Sequence, residues 1–178
     1  MAGDAASACR EGEMILAIET LKDSQVADTI RRYREQGVTT GGPYTLADLL
    51  AEQARRSPSP FGVQETIDAI VATSRASDDG LTTYLAIWNR LTDTPWVGNH
   101  AQSQMANALG RVVHHCRAHG MPILTVLVVQ SQSRRLAETA QRNIFNEARE
   151  LGYGVGVDIA AFIAAQRVAA LALVRALP

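Results

Sequence analysis

A mainly helical fold with a small β component is predicted by three features of this chain. Apolar residues recur at helical spacing along most of its 178 residues. Between those stretches stand helix-breaking clusters of glycine, proline and acidic turn residues. One compact apolar run, residues 122–129 (Pro-Ile-Leu-Thr-Val-Leu-Val-Val), has the length and β-branched content of a strand. Hydrophobic residues make up 47% of the chain but aromatic residues only 5%, so Ala, Leu, Val and Ile must do most of the packing. The length fits one compact unit with a sizeable core.

Residues 1–12, rich in Ala, Gly, Ser and charge, are expected to fray. Asp23 or Ser24 caps a helix running to about Gln36, with Val26, Ile30 and Tyr33 on one stripe and Gly37 as its stop. Residues 38–43 (Val-Thr-Thr-Gly-Gly-Pro) form a connector. Thr45 caps a second helix through Arg56 that buries Leu46, Leu49 and Leu50. Ser57-Pro58-Ser59-Pro60 ends it, because each proline removes a backbone donor and disfavours helical geometry at the preceding residue. A third helix, about 63–75, gathers Ile67, Ile70 and Val71. Asp78-Asp79-Gly80 is then a turn dividing an N-terminal helical layer, 1–79, from a second block, 80–178. The two are read as parts of one compact unit.

The second block opens with a short helix-like segment, 81–88, and a turn. A second helix follows, containing Asn107-Ala108-Leu109-Gly110-Arg111-Val112-Val113, and then the apolar run 122–129. Helix, turn, helix, strand is the layout of a winged helix, here a helix-turn-helix with a small β wing set in a helical bundle. After the run, Ser131 or Ser133 caps a helix to Leu151 with Leu136, Ala140, Ile144 and Ala148 on its face. Gly152-Tyr153-Gly154-Val155-Gly156 stops that helix, and 153–157 is a second candidate strand. Asp158 caps a terminal apolar helix interrupted by Gln166, Arg167 and Arg175, which reads as buried or partner-facing rather than membrane-spanning. Its Phe162, Ile163, Val168, Leu171 and Val174 offer apolar surface on more than one side, which also fits a homo-oligomeric interaction subunit or a homodimer through this helix.

The net charge of −1 excludes a protein that coats nucleic acid non-specifically. Its distribution is uneven: residues 1–80 carry 8 cations against 13 carboxylates, and residues 81–178 carry 9 against 5. A phosphate-facing patch on the second block and an unevenly solvated surface both fit that asymmetry. Lys22 is the lone lysine among 17 cations; so strong an arginine bias, with abundant alanine, reflects a GC-biased, bacterial genome more than phosphate recognition. Cys9 and Cys116 make no disulfide framework, and with no leader-like segment at the N-terminus the expected compartment is the cytoplasm.

Three short motifs of the second block, Thr83-Tyr84-Leu85-Ala86-Ile87-Trp88, Ala106-Asn107-Ala108-Leu109 and Pro122-Ile123-Leu124, resemble the winged-helix domain of the alkylguanine-DNA alkyltransferase and alkyltransferase-like family. The resemblance covers under a third of the chain. It implies a DNA-facing helix-turn-helix in which Tyr84 contacts the nucleotide phosphate. The reactive Pro-Cys-His-Arg of that family is absent, since Val126-Leu127-Val128-Val129 stands in its place. Alkyl transfer needs a thiolate activated by a neighbouring imidazole, so that chemistry is excluded. The arginine that enters the duplex falls at Ser103.

What remains is a non-enzymatic DNA-associated protein, linked to repair, defence or regulation, with no cofactor. Its candidate contacts are Tyr84, Asn99, His100, Gln102, Ser103 and Gln104, with Arg111, Arg117, Arg134 and Arg135 supplying charge. The competing reading of that polar face is the wet side of an amphipathic helix whose Met105, Leu109 and Val112 point inward. His115 and His119, four apart, are candidate zinc ligands that need a third partner such as His100 or Cys9; a helix end complemented by imidazoles explains them equally. The Gly152-x-Gly154-x-Gly156 spacing departs from a dinucleotide-binding loop and marks a helix stop. Trp96 reads as a lid over the core. From another class comes a small biosynthetic enzyme with a pocket near His100, His114, His115 and Trp96.

Overall fold

The computed structural model describes residues 17–177. The expected frayed segment 1–12, and Cys9 with it, lie outside that range. Seven α-helices and one two-stranded β element make up the described chain, so the fold is mainly α.

The first three helices follow the sequence signals. Helix α1, Asp23–Gln36, buries Val26, Ile30 and Tyr33 and stops at Gly37, which takes the left-handed conformation at φ 64°. Its N-cap is Lys22 rather than Asp23 or Ser24: the Lys22 backbone N–H donates to Gln25 Oε1 at 2.7 Å. Helix α2, Leu46–Arg56, starts at a reciprocal cap in which Thr45 Oγ1 accepts from the Asp48 N–H and Asp48 Oδ2 accepts from the Thr45 N–H. Helix α3, Val63–Arg75, buries Ile67 and Ile70.

One buried carboxylate fixes the N-terminal layer. Glu52, 5% exposed, accepts from both Arg55 and Arg56 at 2.6 Å, and Arg56 reaches on to the Leu21 carbonyl and to Asp23. Bonding to Arg55 and Arg56 outweighs the cost of burial and holds the Glu52 carboxyl down at about 2.

Strand β1, Thr82–Thr83, leads directly into α4, Tyr84–Leu91, whose N-cap Thr83 Oγ1 accepts from the Ala86 N–H. A turn then delivers α5, Gly98–Ala118, the longest helix, which packs against α2, α3 and α4. Behind α5 lies a 3-10 turn, Leu124–Leu127, followed by strand β2, Val128–Val129. Helix α6, Glu138–Glu150, and helix α7, Ile159–Ala176, complete the body. Asp158 Oδ1 caps α7 by accepting from the Ala160 and Ala161 N–H groups.

The run 122–129 departs from the expected strand. Only its last two residues pair, in parallel with β1, Thr82 opposite Val128 and Thr83 opposite Val129. Ile123, Leu124, Val126 and Leu127 are all fully buried among α3, α5 and α7, and burial on every side removes the need for a ladder of strand pairing. The backbone is satisfied instead from α7: Gln166 Oε1 accepts from the Ile123 N–H at 2.8 Å and Arg167 Nη2 donates to the Val126 carbonyl at 3.4 Å. The β element is thus a short parallel clasp within the second block, tying the start of α4 to the end of the apolar run, rather than a projecting hairpin.

Two further boundaries shift. Residues 131–137 form a loop closed by Gln130 N–H to the Arg135 carbonyl, with Arg134 in the left-handed region at φ 52°, so α6 begins at Glu138 and not at Ser131 or Ser133. Residues 153–157 are irregular, not a strand. Helix α7 is long and apolar enough by composition to cross a membrane, with a mean hydropathy of 1.6. Its Phe162, Ile163, Ala170 and Val174 nevertheless pack into the core, and Arg75 Nε holds its C-terminal end by donating to the Val174 carbonyl.

Candidate functional site

The uncharged polar candidates, Tyr84 and residues 99–104, lie on α4 and the first half of α5, and the structure brings those helices together around three aromatic rings. Trp88 and Trp96 meet edge to face at 5.4 Å between ring centroids, and Trp96 meets Tyr84 at 6.5 Å. The Trp88 indole N–H donates to the Thr94 carbonyl, which pins the turn between the helices. Trp96 is a half-buried plug in that turn, as its reading as a lid anticipates. Gly98 takes φ 64° at the start of α5, a conformation that glycine adopts without strain and that redirects the chain.

The first two turns of α5 divide sharply. Ala101 and Met105 are buried, while Asn99, His100, Gln102 and Ser103 are exposed and Gln104 is half-buried. Gln104 Nε2 and His100 Nε2 lie 2.8 Å apart, so these two side chains order each other on the helix surface. Asn107 continues the exposed face one turn on.

The candidate cations fare differently. Arg134 bridges Asp79, Ser77 and the Leu81 carbonyl, and that contact holds the Asp79 carboxyl well below the usual carboxylate range. Arg111 donates to the Phe61 carbonyl at 3.3 Å, and Arg117 closes the end of α6 through the Leu151 carbonyl at 2.7 Å. These three serve as structural ties. Arg135 is exposed, and so is Arg90 on α4, a cation that the sequence reading passed over because no motif singled it out; neither has an ion-pair partner among the described residues.

The histidine cluster is spread over two environments. His115 and His119 stack with ring centroids 3.9 Å apart, and His119 Nδ1 lies 2.9 Å from the His115 carbonyl. Burial, and the neighbouring imidazole after it, lower the His115 pKa. Among the described residues no group of three His, Cys, Asp or Glu side chains converges on a metal-sized space. Cys116 is fully buried, which pushes its thiol up and away from the reactive thiolate.

His114 faces the other way and pairs with Glu147 of α6, Nε2 to Oε1 at 3.1 Å. Glu147 also lines a cleft between α5 and α6 that no sequence motif marks, since it depends on where α6 lies. The cleft has a volume of 200 Å³; Tyr84, Gly110, Val113, Thr125, Asn143 and Glu147 are among its walls. Partial burial raises the pKa of the Tyr84 phenol, so it stays a neutral donor and acceptor. Gly110 sits in mid-helix although a Cβ there would meet nothing within 4 Å, and glycine in such a place costs roughly 0.5–1 kcal/mol relative to alanine. Comparisons with family models, with curated proteins and with solved structures each find no match.

Proposed function

We propose that this chain is a non-enzymatic DNA-associated protein that meets the duplex with the first half of α5, supported by α4 as a helix-turn-helix. The observation that carries this reading is the polar surface formed by Asn99, His100, Gln102 and Ser103, which stands free of the body while Ala101 and Met105 anchor it from beneath. Amide and hydroxyl side chains on one helix face suit contacts to phosphates and base edges. The β clasp lies within the body, so the contacts come from the helix face and from Arg90 and Arg135, without a wing.

With Arg111, Arg117 and Arg134 occupied, few cations remain to displace counterions. Two to three phosphate contacts correspond to a slope of about −2 to −3 in log K against log salt, and to micromolar or weaker affinity. Fluorescence anisotropy with a labelled duplex at two salt concentrations measures both. Ser103→Glu, which adds a negative charge to the exposed face, is expected to weaken binding about tenfold. Absence of binding at micromolar protein in low salt, or affinity that Ser103→Glu leaves unchanged, contradicts the reading.

A homodimer through the outer face of α7 belongs to the same proposal. Val168 is 71% exposed there, among Ala161, Ala164, Ala165 and Ala172, all exposed. Light scattering across a concentration series tests it; a monomer throughout removes it.

A further inference from the structure

The cleft between α5 and α6 shows two features that packing alone leaves without a reason. Thr125, on the buried 3-10 turn, is 5% exposed and lines the cleft, yet its Oγ1 has no hydrogen-bond partner. Buried hydroxyls are ordinarily satisfied, so an orphan beside an open space calls for a polar group within that space. Gly110 is the second feature. It interrupts a 21-residue helix at a position where alanine would fit, and its bare backbone borders both this cleft and a neighbouring hollow of 310 Å³. A residue that breaks a local preference without a packing reason marks a place where clearance matters.

The lining dictates the chemistry of an occupant. Glu147 is the sole carboxylate lining the cleft, and neither lysine nor arginine lines it, so anions are disfavoured. His114 engages one oxygen of Glu147, leaving the other able to accept from a ligand N–H. Val113 and Ile144 provide apolar walls, and Asn143 offers an amide at the α6 side. The space is below the roughly 300–1,000 Å³ of sites for drug-sized ligands, and so suits one or two rings.

We infer that the α5–α6 cleft binds a small planar nitrogen heterocycle that donates N–H to Glu147 and shares a hydrogen bond with Thr125 Oγ1. The site is independent of the exposed face of α5, although Tyr84, which lines it, also touches Trp96 in the turn that positions that face.

The test is calorimetric titration of the full chain with 2-aminobenzimidazole, whose ring faces are apolar and whose edge carries adjacent N–H donors. Saturable one-to-one binding is expected, and naphthalene-2-carboxylate, similar in size but anionic, should not bind. Thr125→Val removes only the orphan hydroxyl and Glu147→Gln only the charge; each is expected to weaken binding about tenfold. Gly110→Leu fills the opening and should abolish binding, with circular dichroism confirming that the variant is folded. Thr125→Val supplies the control for folding, since losing an unpartnered hydroxyl leaves the core intact. The inference is overturned by absence of saturable binding at millimolar probe, by equal binding of the carboxylate, or by binding that both Thr125→Val and Gly110→Leu leave intact.

Discussion

The two halves of α5 put the same secondary structure to opposite uses. From Met105 onward the helix is wedged against α2, α3 and the 3-10 turn, with Met105, Val112 and Cys116 fully buried. Before Met105, Ala101 is its one buried side chain, and amides, a hydroxyl and an imidazole face outward. The difference shows how a helix can offer a polar face without loss of order: its register is set by the packed half, and the free half inherits that register. The same logic separates Arg134, which is spent on a tie to Asp79, from Arg135 beside it, which is exposed.

The largest way to break that division is to loosen the anchor. Met105→Ala empties a fully buried site and should cost about 2–5 kcal/mol in chemical denaturation, far more than any change on the outer face. Next comes the Glu52 network, which ties α2 to residues 18–23 at the start of α1. Glu52→Ala removes the shared acceptor of Arg55 and Arg56 and should unfold below the parent temperature, by less than Met105→Ala because the arginines left behind reach solvent. Because Arg55 and Arg56 hold the Glu52 carboxyl down from 4.5 to about 2, its stabilisation is complete above about pH 5 and is lost as pH falls from 4.5 toward 2. Acid denaturation of Glu52→Gln should therefore show a flatter limb across that interval, and an unchanged limb would remove the network from the account.

Smaller effects sharpen the comparison. Asp79→Asn loosens the Arg134 tie, which is more than a third exposed on both sides, and should cost about 1 kcal/mol or less. Gly110→Ala should raise stability by roughly 0.5–1 kcal/mol in the same assay, because the helix gains propensity and the added methyl meets open space. Gln102→Ala should leave stability within about 0.5 kcal/mol of the parent.

How much of this was legible from residues alone varied with how local the signal was. The cap at Thr45, the stop at Gly37, the prolines at 58 and 60 and the cap at Asp158 act over three or four residues, so α1, α2, α3 and α7 fall where the sequence puts them. The run 122–129 misleads because an apolar β-branched stretch reads identically whether it pairs with strands or is enclosed by helices. Gln166 and Arg167 look like interruptions of α7 until the structure shows them satisfying the backbone of that enclosed run. The exposed face of α5 was visible as a polar stretch, with Ala101 and Met105 as its inner edge. The α5–α6 cleft was not, because its partners Tyr84, Thr125 and Glu147 are brought together only by the tertiary fold.

The most direct measurement is backbone amide mapping by heteronuclear NMR of the full chain titrated with a short DNA duplex. The account predicts shifts concentrated at Asn99, His100, Gln102 and Ser103 and extending to Arg90 and Arg135, with the outer residues of α7 unmoved. A duplex that binds elsewhere and leaves residues 99–103 undisturbed would contradict it.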